Sequence, residues 1–310
     1  MTIEKGHEIK VLDHGHVRLV DFMGSDEDIV SAARISTGRG FVSWNPYRRC
    51  KKCDGVSGLE PSLADVLNHA LGLVTKCDHD WQDFPRGDLG ILDYLYRMEH
   101  TSPFEMAEII LDVQVPMDHW RQWIRNRTAN VNEYSTRYSE AIDFVAATAP
   151  DKWRTQGVTN RQGSGAYLDE ASGQILSERE VALHKISREV YDERLRNGVA
   201  KEQARKDLPL STYTAARWKI DLHNLLKHFL GKRLHPHAQE EIRVYAGAVA
   251  EIVKAIWPRT YTLFEEYDLY GVRLSRSEAR MLAGGMRGAR TADGSLSESM
   301  PDIYKKIGGA

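Results

Sequence analysis

Residues 122–139 constrain this 310-residue chain more than any other stretch. The stretch begins within a helical pattern, because Trp120, Trp123 and Ile124 recur at spacings of three and four residues. Polar and turn-forming residues follow, and residues 125–139 contain three arginines but no lysine. The planar guanidinium group of arginine suits phosphate and carboxylate groups. The stretch therefore predicts an anion site at a helix end, with a surface ion-pair network as the alternative.

The same stretch resembles the signature of the flavin-dependent thymidylate synthases, R-H-R-x-A-S-x-N-E-x-S-x-R-Y-S. The matching residues are Arg125, Arg127, Asn132, Glu133, Ser135, Arg137, Tyr138 and Ser139. Asn126 replaces the central histidine. Further matches follow in the family's order at residues 100–106, 204–209 and 221–239. Because the motif is long and chemically mixed, it is much more specific than a short glycine fingerprint.

The resemblance covers roughly residues 8–36 and 86–270 and implies an α+β fold. A central, mostly antiparallel sheet flanked by helices is expected, in one catalytic domain over residues 1–310. The residue pattern itself predicts strands over residues 8–22, 106–115 and 213–218, and helices over residues 174–196 and 237–257. Asp26 and Asp88 are expected to cap the helices that follow them.

Site residues follow from the resemblance. It implies that the nucleotide is bound by Gln122, Arg125, Glu133, Tyr134, Ser135, Thr136, Arg137, Arg205 and Arg233. Among these, Arg233 is implied to be catalytic, at the edge of the uracil, where it stabilises developing negative charge. The implied flavin-binding residues are His100, Ser102, Arg125, Asn126, Arg127, Glu133, His223 and His228, with Ser36 nearby.

The resemblance also implies the reaction. A methylene group of methylenetetrahydrofolate is transferred to C5 of dUMP and reduced, with NADPH as co-substrate and FAD as cofactor. The family assembles as homotetramers with active sites between subunits, so Arg205 and residues 122–139 are expected to reach one site from different chains. One alternative is a C5-methylase or hydroxymethylase of another pyrimidine nucleotide, such as UMP. A second alternative is a non-catalytic homologue that binds flavin or nucleotide.

Two segments lie outside the resemblance. Residues 271–310 form a C-terminal extension with a predicted helix at 276–285. Residues 37–85 form an insertion that contains all three cysteines, with a short helix predicted at 62–76. Cys50-x-x-Cys53 is followed, 23 residues later, by Cys77-x-His79. Two short turns of this form can supply four tetrahedral zinc ligands, whereas three unrelated thiols are the alternative. A cysteine nucleophile is not expected, because the thiols lie away from every anion-binding motif.

One extra residue separates Asn224 from Arg233, relative to the family pattern. An insertion into a regular helix rotates everything downstream by roughly 100°. A local i→i+5 turn absorbs one residue and keeps both flanks in phase. We therefore predict a π-bulge around residues 227–232, with His228 and Arg233 facing the ligands. An early helix end at Gly231 is the alternative.

The composition of the chain limits which partners and which cellular compartment are expected. The net charge of −2 gives no overall attraction to nucleic acid or to a membrane surface. No apolar run is long enough for a membrane span, and the first residues lack a signal-peptide core. An odd number of cysteines argues against a disulfide framework. The expectation is a cytoplasmic enzyme without nucleic-acid or membrane partners.

Overall fold

The computed structural model describes residues 3–58, 77–158 and 163–286. The chain divides into two compact units, residues 1–265 and residues 266–310. The helix expected at residues 62–76 lies outside the described residues. In the second unit, a helix over Arg276–Met286 matches the helix predicted at 276–285.

The described strands, in chain order, are β1 (Glu8–Val11), β2 (Gly15–Met23), β3 (Tyr47–Cys50), β4 (Val56–Ser57), β5 (Trp81–Phe84), β6 (Glu108–Pro116), β7 (Asn130–Glu133), β8 (Arg154–Gln156), β9 (Ser164–Tyr167) and β10 (Tyr213–Asp221). The central sheet has the order β1-β2-β6-β10-β7, and every pair in it is antiparallel. This arrangement, with helices around it, confirms the α+β prediction. The insertion forms its own sheet, β4-β3-β5, and β8 pairs with β9.

The described α-helices are α1 (Asp26–Ala33), α2 (Leu89–Arg97), α3 (Ser102–Glu105), α4 (Met117–Trp123), α5 (Glu170–Arg196), α6 (Lys201–Ala204), α7 (Leu222–Asn224), α8 (Gly231–Arg233), α9 (Glu240–Ile256), α10 (Pro258–Phe264) and α11 (Arg276–Met286). Two π-helical segments span Leu225–Leu230 and Glu265–Leu269. Short 3₁₀ turns span Ile35–Thr37, Pro150–Lys152 and Arg205–Asp207.

The core lies on one face of the central sheet. Alternate residues of β6 are buried, as a half-buried strand requires. Trp123, at the end of α4, is fully buried and contacts Trp120 of the same helix and three aromatic rings of other elements. Its ring centroid lies 5.4 Å from that of Trp218, 4.7 Å from that of Phe229 and 6.1 Å from that of Tyr245. The aromatic cluster therefore ties α4 to β10, to the first π-helical segment and to α9.

The predicted helix cap at Asp26 is wrong, and Asp88 occupies the predicted N-cap position without capping through its side chain. Ser25 caps α1 and accepts a hydrogen bond from the backbone N–H of Asp28, while Asp28 accepts one from Ser25. Asp26 is buried and instead accepts from the backbone N–H groups of Arg259 and Thr260, at 2.8 and 3.1 Å. These groups belong to the first turn of α10, where backbone donors lack partners within the helix. Asp26 therefore caps a helix that lies far along the chain.

Asp88 precedes α2 but makes no capping hydrogen bond to it. Its carboxylate is fully buried and accepts from both terminal nitrogens of Arg34, at 3.0 and 2.6 Å. The hydroxyl of Tyr47 donates to the same carboxylate at 2.6 Å, and the backbone N–H of Val42 donates at 2.6 Å. This network joins the insertion, through Tyr47, to α1 and α2.

The buried charge pair makes a stability prediction. We expect Asp88→Ala to lower the free energy of unfolding by about 3–5 kcal/mol, because it leaves the Arg34 guanidinium buried without its counterion. Asp83→Ala is the matched control, since the Asp83 side chain is 76% exposed and pairs with Arg48 only at the surface. The control should change stability by less than about 0.5 kcal/mol. Equal losses in urea denaturation of the two variants would contradict the assigned role.

Candidate active site

The signature stretch leaves α4 through a turn that Asn126 closes. Asn126 is buried, and its side-chain N–H donates to the backbone oxygen of Trp123 at 2.7 Å. Its backbone N–H donates to the same oxygen at 3.1 Å. Asn126 thus satisfies a carbonyl at the helix end that has no partner within the helix. The contact of Asn126 with flavin, implied by the resemblance, stays a prediction.

The three arginines of the stretch are exposed. Within the described ranges, the guanidinium groups of Arg125, Arg127 and Arg137 have no hydrogen bond and no ion pair. The alternative of a surface ion-pair network is therefore wrong for the described chain. Unpaired guanidinium groups, two before β7 and one after it, are suited to an anionic ligand.

The loop after β7 is held in a defined shape. The Glu133 carboxylate accepts from the Thr214 hydroxyl at 3.1 Å. Tyr134 donates its hydroxyl to the backbone oxygen of Glu140 at 2.7 Å. The Ser135 hydroxyl accepts from the backbone N–H of Arg137 at 3.4 Å. These bonds orient the polar residues of the loop before any ligand binds.

Arg205 lies just after α6 and reaches the same loop. Its guanidinium donates to the Thr136 hydroxyl at 2.7 Å. Both side chains of this contact belong to one chain. The expectation that Arg205 and residues 122–139 serve one site from different chains of an assembly stays a prediction. The structure therefore brings together two residues predicted to bind the nucleotide, which lie 69 positions apart in the sequence.

The predicted π-bulge is confirmed. The π-helical segment spans Leu225–Leu230 and begins two residues before the predicted range of 227–232. Its apolar residues Leu225, Leu226, Phe229 and Leu230 are all buried. The segment continues directly into α8, so the helix does not end early at Gly231.

Arg233, the last residue of α8, is half-buried beside α4. It donates to the backbone oxygen of Gln122 at 2.6 Å. Its Nε atom is buried and has no hydrogen-bond partner among the described residues. Burial lowers the pKa of Arg233. A buried donor without a partner is unusual and calls for an explanation, and a ligand acceptor provides one.

Two of the predicted flavin-binding histidines line one cleft. His100 and His223 face it together with the apolar side chains of Leu95, Phe104 and Leu226. The His228 ring lies edge-on to His223, with centroids 6.1 Å apart. Burial lowers the pKa of His223, so that its imidazole is neutral at neutral pH.

Ser102 is the first residue of α3, shortly after His100 in this turn. Ser36 is exposed in the 3₁₀ turn after α1. The described contacts therefore place the predicted residues in three groups. Gln122 and Arg233 form the first, Thr136 and Arg205 the second, and the cleft histidines the third.

Three further residues contact predicted site residues or line the histidine cleft, and they were not predicted to belong to the site. Gln239 accepts a hydrogen bond from the side chain of Gln122. Thr214 holds Glu133 as described above, and the Lys227 ammonium lies 5.0 Å from the centroid of the Tyr96 ring, beside the histidine cleft. Gln239 closes the His-Ala-Gln run of the family pattern, which is a signal that could have identified it. Thr214 and Lys227 carry no such signal.

The four predicted metal ligands come together. The ligand atoms of Cys50, Cys53, Cys77 and His79 all lie within 4.8 Å of one another. The three thiols form no disulfide.

The structure defines an α+β protein with an antiparallel central sheet, in which the three arginines of the signature stretch have no described partner. Residues 18–259 match the sequence model of the family described as "Thymidylate synthase complementing protein". The chain belongs to this family.

Relatives named "Flavin-dependent thymidylate synthase" agree with this assignment. The protein of Ehrlichia ruminantium (strain Gardel) is 41% identical over 270 residues, covering 87% of this chain and 77% of the relative. The protein of Thermus thermophilus is 43% identical over 280 residues, covering 89% of this chain and 85% of the relative.

A solved structure shares the fold. The chain is similar to a UMP/dUMP methylase, PolB from Streptomyces cacaoi, bound with 5-Br UMP, at a TM-score of 0.62 and 24% identity. The similarity covers 84% of this chain and 98% of that structure. No helix in the described ranges is both long and apolar enough to cross a membrane.

Asn126 provides a prediction for the turn. We expect Asn126→Ala to lower the free energy of unfolding by about 0.5–1.5 kcal/mol, because one buried hydrogen bond to Trp123 is lost. Asn130→Ala is the control, since Asn130 is exposed. Thermal and urea unfolding of both variants would measure the difference. If the two variants have the same stability, Asn126 does not support the helix end.

Proposed function

We propose that the protein is a flavin-dependent thymidylate synthase that converts dUMP to dTMP. Methylenetetrahydrofolate supplies the carbon that is added to C5, and NADPH supplies the reducing equivalents that make it a methyl group. The observation that carries the proposal is the signature loop with three unpaired arginines, in a chain 41–43% identical to the synthases described above.

The nucleotide phosphate is assigned to the loop that joins Arg205 to Thr136. The contact of 2.7 Å holds the Arg205 guanidinium at Thr136, the residue between Ser135 and Arg137 in the sequence. Charge-assisted hydrogen bonds from two guanidinium groups and a hydroxyl suit a phosphate dianion. Serine acts here as a phosphate ligand, and no catalytic nucleophile is assigned to it.

Arg233 is assigned to the uracil. Its contact with the Gln122 carbonyl fixes the guanidinium, and its buried Nε remains without a described acceptor. A cation in a partly dry site stabilises negative charge that develops on the base more strongly than the same cation in water. Gln122, held by Gln239, is a positioning residue for this arginine.

The flavin edge is assigned to the histidine cleft. Its walls combine apolar side chains with the imidazoles of His100 and His223, which suits the edge of a flat aromatic ring. Ser102, Arg125, Asn126, Arg127, Glu133 and His228 are assigned to the same cofactor. Bound FAD would supply the redox chemistry of the transfer, while the protein binds and orients the reactants.

A second candidate substrate is UMP. The structural neighbours are described as a UMP/dUMP methylase and were solved with 5-Br UMP and with 5-Br dUMP. A hydroxymethylase would use the same residues and leave the carbon unreduced. A non-catalytic binding protein is less favoured, because the chain retains the arginines of the signature without described protein partners.

One experiment separates these alternatives. The purified protein should be yellow, oxidise NADPH faster with dUMP and methylenetetrahydrofolate, and form dTMP detectable by chromatography. The same assay with UMP tests the second substrate, and a hydroxymethylated product would indicate incomplete reduction. A colourless protein that binds no added FAD would overturn the proposal.

The assembly is proposed to be a cytoplasmic homotetramer with active sites between subunits. The exposed, unpaired Arg125 and Arg127 support this, because a second chain can enclose the ligand that they bind. Analytical ultracentrifugation at micromolar protein concentration would measure the oligomeric state. Full turnover by a monomer would contradict shared sites.

Arg205 makes a binding prediction. We expect Arg205→Ala to weaken dUMP binding by about 2–3 kcal/mol, because a charge-assisted phosphate contact is lost. The control is Arg179→Ala, an exposed arginine on α5. Calorimetric titration should show unchanged binding in the control and unchanged FAD content in both. An unaltered dUMP dissociation constant in Arg205→Ala would remove this residue from the phosphate site.

Arg233 makes a kinetic prediction. We expect Arg233→Gln to lower kcat by roughly 100-fold or more, while the dUMP dissociation constant rises by less than about tenfold, because the charge it stabilises develops during the reaction. Lys232→Gln is the control, since Lys232 is exposed and adjacent in sequence. If the variant changes only the dUMP dissociation constant and not kcat, Arg233 binds the substrate but does not stabilise the transition state.

A further inference from the structure

We propose that Cys50, Cys53, Cys77 and His79 bind one structural zinc ion in the insertion. The family activity does not use these residues, and the proposal does not depend on the proposed function. The observation behind it is the convergence of all three cysteines of the chain with one histidine, with ligand atoms within 4.8 Å of one another.

Two of the distances between ligand atoms match the edges of a tetrahedral zinc site, and all four ligand atoms lie within 4.8 Å of one another. Zinc binds sulfur at about 2.3 Å and nitrogen at about 2.0–2.1 Å, so the edges of a tetrahedron are about 3.8 Å between two sulfurs and about 3.6 Å between sulfur and nitrogen. The Cys50 and Cys77 sulfurs are 3.7 Å apart. The Cys53 sulfur is 3.5 Å from His79 Nδ1. Both distances therefore equal tetrahedral edges to within about 0.1 Å.

The donor set selects the metal. Three thiolates and one imidazole are a common structural zinc set, whereas magnesium and calcium prefer oxygen ligands. Four protein ligands also leave no open position for water or substrate. The site is therefore structural, and no step of thymidylate chemistry is assigned to it.

The backbone prepares the first half of the site. Cys50 ends β3, and its backbone N–H donates to the Gly55 oxygen at 2.8 Å. The Asp54 N–H donates back to the Cys50 oxygen at 3.0 Å, and Asp54 adopts a positive φ of 63°. These bonds close a tight turn that brings the Cys53 sulfur beside Cys50.

The second half lies directly before β5. The Lys51 N–H donates to the Asp80 oxygen at 2.8 Å and joins the two turns. The His79 ring stacks on Trp81, with centroids 4.6 Å apart. The imidazole is thus held with Nδ1 toward the Cys53 sulfur.

The small sheet needs such a cross-link. Its strands have four, two and four residues. Within them, only Tyr47 and Cys50 are buried. Three short strands with so small a core are marginal without further support. Metal binding supplies folding free energy directly, because the ligands converge only in the folded state.

The zinc also supports the contact between the insertion sheet and Asp88. Tyr47, in β3, donates to the buried Asp88 carboxylate and stacks on Phe84 of β5 at 4.7 Å between centroids. The same β3–β5 pair carries the zinc ligands at its other end. Removal of zinc is therefore expected to loosen the Tyr47 contact and lower the unfolding temperature.

The test is metal analysis of the full chain by mass spectrometry. Wild-type protein should carry about one zinc per chain after exhaustive dialysis. Cys53→Ser and His79→Ala should each carry much less. His14→Ala is the matched control, because His14 is a partly exposed histidine outside the cluster. Full zinc content in both ligand variants would overturn the proposal.

A second measurement uses wild-type protein alone, in case the variants fail to fold. Protein produced with cobalt should show the charge-transfer and visible ligand-field absorption of tetrahedral thiolate coordination. A mercurial reagent should release one zinc together with the reaction of three thiols, while the flavin spectrum is unchanged. Metal-free folded protein with three freely titrating thiols, or a Cys50–Cys77 disulfide detected by mass, would overturn the proposal.

Discussion

The burial of Trp123 is the interaction on which the rest of the structure depends. Its ring meets Trp218, Phe229 and Tyr245, which lie on three different elements. The Trp123 indole N–H has no partner within the described chain, at a cost of about 1–3 kcal/mol. Burial of an aromatic side chain of about 150–250 Å² contributes roughly 4–6 kcal/mol and outweighs that cost. The cluster therefore fixes the end of α4, from which the signature loop departs.

The π-helical segment solves a conflict between packing and function. Leu225, Leu226 and Phe229 must face the core, while Arg233 must reach α4 one turn later. A regular helix with one extra residue would satisfy only one of these demands. The wider turn satisfies both. Its existence follows from the sequence flanks, but its start at Leu225 is set by packing, which local sequence does not encode.

The sequence predicted the elements whose signals are local. Alternation identified β2 and β6, and helical periodicity identified α5 and α9. It missed β7, which is short and exposed throughout and exists through its pairing with β10. Asp26 accepts hydrogen bonds from Thr260, which lies 234 positions further along the chain. Arg205 likewise contacts Thr136 across 69 positions. No local sequence pattern indicates such long-range contacts. The family resemblance therefore implied roles for individual residues but did not predict which residues they contact.

The arginines of the signature stretch differ from the arginines that hold the structure together. Arg217 pairs with Asp112 on the central sheet, and Arg154 pairs with Glu240. The chain thus pairs arginines with carboxylates where they serve structure. In the signature stretch it leaves Arg125, Arg127 and Arg137 without a described partner. An anionic ligand can therefore supply the counterion that the described protein does not. The pattern is therefore expected of a loop whose counterion is a ligand.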